Sequence, residues 1–270
     1  MELSIVIPVY NSENSIVELV DELQVVIENI DFEVILVDDR SRDESFSRCE
    51  GLSRRYSNVT AVRLSRNYGQ QNAILAGVRL ARADYIVTMD DDKQHSPIDV
   101  IRLYHEILNG GDIVYAIDFD EDVSSHRMLG SKMVAWTFNK LFIKKKDMRV
   151  SSFRIFNKKM KDVLSSYRGS FVYISAIMLF TKPDIKNINI EKKKRKYGKS
   201  NYSLRKLMRL YFNIYVYYSG IKFLVLFQND KEQYDVEVIC REENDDIRSF
   251  KGSSQCYKKN EGDGLSSYCQ

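Results

Sequence analysis

From Arg63 to Pro97 the chain reads RLSRNYGQQNAILAGVRLARADYIVTMDDDKQHSP, and this stretch decides the fold. It begins at the end of an apolar run, Val59–Leu64, of the kind a buried strand makes. Asn72–Ala81 then predicts a helix with Ala73, Ala76, Gly77 and Leu80 on one small-residue face. Asp84–Met89 predicts the next strand, and Asp90, Asp91 and Asp92 leave it at once. Pro97 suits the first turn of a further helix that reaches about Leu108. Strands alternating with single helices imply βαβ crossovers and a parallel sheet.

The same rhythm extends on both sides. Leu3–Val9 and Phe32–Val37 are continuous apolar runs, each followed by a helical pattern, Asn14–Ile30 and Asp43–Tyr56. Asp112–Ile117 predicts a fifth strand. Ligands of such sheets bind at the carboxyl ends of the strands. That places Tyr10–Asn11, Asp38–Asp39 and Asp90–Asp92 on one rim. The second half is less regular. It predicts a helix at Arg127–Phe142, a short strand at Ser152–Phe156, a helix at Lys158–Ser165, and strands at Tyr173–Thr181 and Ile185–Ile190. A basic loop, Lys192–Ser203, leads into Leu204, Leu207, Met208, Tyr211, Tyr215 and Tyr218 at helical spacing. The last 43 residues are polar and poorly periodic, so no fold is assigned to them.

Composition excludes several classes. The 270 residues are 44% hydrophobic and 29% charged, which is a globular balance and not that of a disordered, collagen-like or polytopic membrane chain. Cys49, Cys240, Cys256 and Cys269 show no metal-ligand spacing, and a reducing, cytosolic setting is the default. The net charge is only +3, but it is unevenly spread. Lys186–Leu210 holds ten Lys/Arg against one acid, whereas Gln228–Gln270 holds ten acids against six bases. Such a basic block either faces water or meets an anionic partner: phosphate, nucleic acid or a lipid surface.

Consecutive carboxylates at a strand end repel one another. They are either an acidic turn ahead of the helix at Pro97 or a hard-cation site. Asp90 and Asp92, with Gln94, offer oxygen ligands for Mg²⁺ or Mn²⁺, and phosphate oxygens would complete the shell. Asp38–Asp39 on the same rim strengthens the second reading and suggests a nucleotide diphosphate. No G-x-G-x-x-G follows the first strand, which argues against NAD, and no G-x-x-x-x-G-K-[ST] is present, which argues against a P-loop. His95, His105 and His126 are isolated and read as structural or surface groups, and Trp136 reads as core.

Five stretches together carry a resemblance: SIVIPVYNSENSI, EVILVDDRSRDES, the Arg63–Pro97 segment, SSFRIFNKKM and RKYGKSNYSLRKLMRL. Over about residues 3–210 the chain resembles the family-2 glycosyltransferases of the α/β, Rossmann-like GT-A fold, in the branch that makes polyprenyl- or dolichyl-phosphate sugars. The resemblance implies a GT-A catalytic domain over 1–201, an amphipathic juxtamembrane-like helix over 202–227, and a divergent polar tail over 228–270. It implies that Pro8, Tyr10, Glu13, Asp39 and Asp91 form the nucleotide pocket. Asp90 and Asp92 match the D-x-D motif and Gln94 the glutamine after it, near the metal. Arg154 and Arg195 resemble phosphate-binding residues that act in catalysis with Asp92, and Ser200, Tyr202 and Lys206 close the last motif.

The activity implied by the resemblance is an inverting, metal-dependent transfer from a nucleotide-diphosphate sugar to a polyprenyl phosphate or, alternatively, to a saccharide. A third alternative is a nucleotide-sugar-binding protein without acceptor turnover. A phosphate acceptor is already ionised near pH 7, so it needs no general base. This suits Ser152, which stands where some relatives carry an aspartate. A hydroxyl acceptor would need one, and Asp118 is then the candidate. Ile221–Phe227 is far short of the ~20 apolar residues that span a bilayer. The expected location is therefore cytoplasmic, peripheral on the inner face of an anionic membrane. No nucleic-acid partner is expected, and homo-oligomerisation is left open.

Overall fold

The computed structural model describes residues 1–118, 148–191, 233–242, 254–260 and 263–268. In the first half the predicted elements are present with shifts of a few residues at their ends. They are β1 (Leu3–Val9), α1 (Ile16–Val26), β2 (Phe32–Asp38), α2 (Ser45–Arg55), β3 (Val59–Leu64), α3 (Gln70–Leu80), β4 (Tyr85–Thr88), α4 (Pro97–Leu108) and β5 (Ile113–Ile117). Then come β6 (Arg154–Phe156), α5 (Lys158–Ser166), α6 (Ile174–Phe180), β7 (Ile185–Asn189), β8 (Val236–Glu242), β9 (Ser254–Asn260) and β10 (Asp263–Tyr268).

The ten strands of the described residues form one sheet in the order β10-β9-β8-β3-β2-β1-β4-β6-β5-β7. β3, β2, β1 and β4 pair in parallel, as do β5 and β7, while β6 runs antiparallel between β4 and β5. The strands of the parallel centre are buried on both faces, which explains their unbroken apolar runs. Ile5, Ile7 and Val34 pack on one face with residues of α1, α2 and α4, and Val6, Ile35 and Val37 pack on the other with α3, α5 and α6. Gly77 lets α3 lie against β1 and β2: a Cβ there would run into Val6 and sit 3.2 Å from Val37 Cγ2. This is the small-residue face expected from the sequence.

Two expectations change. Tyr173–Thr181 is not a strand; Ile174–Phe180 forms α6, buried from Ile174 through Leu179. A short run that is apolar on every side carries no period, so strand and buried helix look alike in sequence. The tail is also not without regular structure. VEVICRE forms β8 antiparallel to the otherwise open edge of β3, with an irregularity between Arg63 and Leu64, and β9 and β10 continue outward as antiparallel strands. An unpaired strand edge is a template for a further strand, and this chain supplies its own. The predicted Arg127–Phe142 helix with Trp136, the Lys192–Ser203 loop, the helix at 202–219 and the run Ile221–Phe227 lie outside the described residues. Among the described residues, no helix is long and apolar enough to cross a membrane.

Candidate active site

The strand order reverses between β1 and β4, so the loops that leave them run to opposite sides and open a crevice. Pro8 helps to open it. Val6 accepts the Met89 N–H across this seam at 3.1 Å, and the β1–β4 pairing ends at Val6 and Thr88. Two residues on, Pro8 turns the same edge toward β4 and has no N–H to continue the ladder. Three non-glycine residues in the loops around this rim adopt left-handed backbone: Asn11 at φ 54°, Arg40 at φ 61° and Lys93 at φ 57°. Such conformations cost energy and cluster at functional sites.

The β1–α1 and β2–α2 loops hold each other reciprocally. Asn11 N–H donates to Ser41 Oγ at 3.0 Å, and Arg42 N–H donates back to Asn11 Oδ1 at 2.9 Å. Glu13 N–H donates to Asp43, and Glu44 N–H donates to Glu13 Oε2 at 3.0 Å, near the start of α2. Glu13, expected in the nucleotide pocket, is thus engaged in joining the two loops. Ser12 N–H donates to Ser45 Oγ, and Ser12 Oγ donates to Asp91. The pair of loops is thereby tied to the acidic run beyond β4.

The acidic residues differ in setting. Asp38 is fully buried; it accepts the Ser41 N–H and lies 3.5 Å from Arg63 Nε. Burial raises its pKa above the ordinary carboxylate value. Asp39 accepts Tyr68 N–H at 2.7 Å and Gly69 N–H at 2.8 Å, one on each oxygen. Burial pushes its carboxyl up to about 6, against the opposing effect of those two donors. Asp91 accepts from Ser12 and, at 3.3 Å, from Tyr10 N–H; burial pushes it to about 6 as well, and the neighbouring Asp90 and Asp92 charges add to the shift.

Asp90 is held from two sides. Gln70 Nε2 donates to Oδ1 and Ser152 Oγ donates to Oδ2, both at 2.7 Å. Asp92 accepts the Gln94 N–H at 3.1 Å in a local turn. Lys93 points away from the crevice, to Glu18 and Glu22 of α1. Tyr10 is 43% exposed at the mouth, so its ring is available to a ligand. His95 is buried and stacked on Phe153 with ring centres 4.5 Å apart, which fits the structural role expected for it.

Arg154 differs from expectation in its setting. The residue is 2% exposed, with Nε donating to Thr88 Oγ1 at 3.2 Å and Nη1 donating to Ser175 Oγ. It lies within the helix-covered layer, not on the surface of the rim. Arg195, Ser200, Tyr202 and Lys206 lie outside the described residues. Ser12, Ser41, Asp43, Gln70 and Thr88 lie inside the stretches that carry the resemblance but are not singled out by it, because single polar residues in loops and strand ends acquire roles only through partners distant in the chain.

The described residues contain no group of three or more His, Cys, Asp or Glu placed to hold a metal ion. A cation of the Mg²⁺ type takes one or two carboxylates and completes its shell with ligand phosphates and water. Asp90 and Asp92, half-buried at the crevice, are hard oxygen donors of this kind.

Residues 4–174 match a family described as Glycosyl transferase family 2. The undecaprenyl-phosphate 4-deoxy-4-formamido-L-arabinose transferase of Pseudomonas fluorescens is 31% identical over 219 residues, covering 78% of this chain and 63% of that protein. The Pseudomonas aeruginosa protein of the same name is 31% identical over 215 residues with the same coverage. The chain thus spans about 63% of the length of these curated relatives. Among solved structures, glucosyl-3-phosphoglycerate synthase from Mycobacterium tuberculosis, in complex with Mn²⁺, UDP-glucose and phosphoglyceric acid, superimposes with a TM-score of 0.62 at 17% identity, covering 82% of this chain and 80% of that one. The likeness shows a common fold.

Proposed function

The chain belongs to glycosyl transferase family 2, and on that premise we propose that it moves a sugar from a nucleoside-diphosphate donor, UDP-linked, onto a polyprenyl phosphate. The observation that carries this reading is the convergence of Tyr10, Asp39 and the Asp90–Asp92 run on the crevice between β1 and β4. Two curated relatives are named for transfer onto undecaprenyl phosphate, and a solved structure of the same fold holds Mn²⁺ with UDP-glucose.

Tyr10 and the Asp39 floor receive the base and ribose. Asp90 and Asp92, with Gln94, would hold a divalent cation, Mg²⁺ or Mn²⁺. When bound, the cation supplies Lewis-acid neutralisation of the departing diphosphate. The locked loops keep the carboxylates oriented before the donor arrives, so little reorganisation opposes the reaction. Arg195 adds positive charge where the leaving group becomes more negative. The acceptor phosphate attacks the anomeric carbon from the face opposite the leaving group, in one displacement with inversion. It is ionised already, so Ser152 is free to serve Asp90 instead of taking a proton. The basic stretch near 192–209 draws the protein to the inner face of an anionic membrane.

The test is transfer of radiolabel from a panel of UDP-sugars, with Mn²⁺ or Mg²⁺, to undecaprenyl phosphate, to oligosaccharide or to water. Label in an organic-extractable lipid product is expected. Label found only in saccharide, or released only as free sugar, overturns the proposal.

A further inference from the structure

Arg154 occupies the middle of the β4–β6–β5 set, in register with Thr88 on one side and Tyr115 on the other. Side chains in register share a face of the sheet, so the three form one row beneath α6. The guanidinium lies 5.9 Å from the Tyr115 ring centre and donates to the hydroxyls of Thr88 and Ser175. No carboxylate among the described residues pairs with it. A buried cation without a counter-charge costs stability, and an apolar side chain of similar volume would fill the row better. Stability therefore does not explain the residue.

Its hydrogen bonds run to the rim. Arginine has no acceptor, so Arg154 Nε must donate to Thr88 Oγ1 at 3.2 Å. That leaves the Thr88 proton for the Ser152 carbonyl, at 2.7 Å. Ser152 then donates its own hydroxyl proton to Asp90 Oδ2, also at 2.7 Å. The two contacts meet in residue 152 itself: Thr88 holds its carbonyl, and so fixes the backbone from which its hydroxyl reaches Asp90. The antiparallel course of β6 makes this feasible, because it brings the residues just before β6 beside the carboxyl end of β4.

We propose that Arg154 is a positioning residue that orients the Asp90 carboxylate through Thr88 and Ser152, and that it does not itself contact the donor phosphates. The proposal rests on the crevice being the donor site. The experiment uses the full chain, undecaprenyl phosphate and the donor selected from the UDP-sugar panel. Thr88→Val removes only the relaying hydroxyl, and Ser152→Ala only the last donor. Each should lower kcat about 10-fold while the donor KM stays within about twofold, since sub-ångström misplacement of a reacting geometry acts on turnover. Thr88→Ser should keep most of the rate. Arg154→Met should lower kcat at least as far, and adding Thr88→Val to it should cost nothing more. Amide hydrogen exchange at residues 89–94 should rise several-fold in Thr88→Val and Ser152→Ala alike. A donor KM raised about tenfold in Arg154→Met, with Thr88→Val behaving as wild type, makes Arg154 a direct phosphate ligand and overturns the proposal. Unchanged exchange at 89–94 in both hydroxyl variants overturns it too. Where Arg154→Met does not fold, Thr88→Val against Thr88→Ser decides. A wild type that transfers from no UDP-sugar sinks the reading of the crevice, and the exchange data still decide the positioning role.

Discussion

Asp38–Asp39 and Asp90–Asp92 look alike in sequence, since each is an acidic run directly after a buried parallel strand. In the folded chain they differ. Asp38 and Asp39 are at most 3% exposed; Asp38 accepts the Ser41 N–H of its own loop and Asp39 two N–H groups of the neighbouring loop before α3. Asp90, Asp91 and Asp92 are half-buried, and side-chain donors from Gln70, Ser152 and Ser12 hold the first two. Asp91 also accepts the Tyr10 N–H and Asp92 the Gln94 N–H, so the two runs differ chiefly in burial. The first pair is a buried floor, and the run beyond β4 is the part of the rim that a ligand can reach.

The largest expected effect separates the two. Asp92→Asn should lower transfer by about 100-fold or more, as loss of a metal-holding carboxylate does, while the urea midpoint stays near wild type. EDTA should stop the wild type, and full activity in either case removes the metal from the scheme. Asp39→Ala should behave the other way round. It strands the Tyr68 and Gly69 N–H groups and should cost about 1–3 kcal/mol in urea unfolding at about pH 4, below the titration of the buried carboxyl. If it unfolds like wild type, the floor is not fixed.

Ser12→Ala cuts the hydroxyl link from the locked loops to the Asp91 carboxylate, and should cost about 1 kcal/mol with a few-fold loss of donor affinity. An unchanged affinity for UDP in calorimetry would show that the loops and the run act separately. The smallest effect is on pH. Asp39 and Asp91 both titrate at about 6 in the folded chain because burial disfavours their charge. An unfolded Asp titrates near ~3.9, so the folded state binds more protons between about pH 4 and 6. The stability these groups contribute is present below that window and is lost as pH rises through it. Asp39→Ala should remove part of that slope, as read from urea midpoints across the window.

Much of this comparison was legible in the sequence. Val59–Leu64 and Pro97–Leu108 form a strand and a helix at their predicted bounds, because a buried parallel strand must be apolar on both faces and a proline fixes where a helix starts. The rim was legible for the same reason, since the strand ends place Tyr10, Asp39 and Asp90–Asp92 together. The rest depended on partners far away in the chain. VEVICRE became a strand because β3 had an open edge, and ISAIMLF, apolar on nearly every side, carried no period that told strand from buried helix.

Sequence by itself thus determined the alternation of strands and helices, the parallel centre and the acidic rim, all consequences of local hydrophobic period and turn chemistry. Only the tertiary structure decided that Ser152–Phe156 inserts antiparallel between β4 and β5. That placement sets Ser152 against Asp90 and buries Arg154 behind it. The physical reason is that a strand's neighbours are chosen by packing and backbone pairing across the whole sheet, and three residues of local pattern carry no information about which edge they will meet.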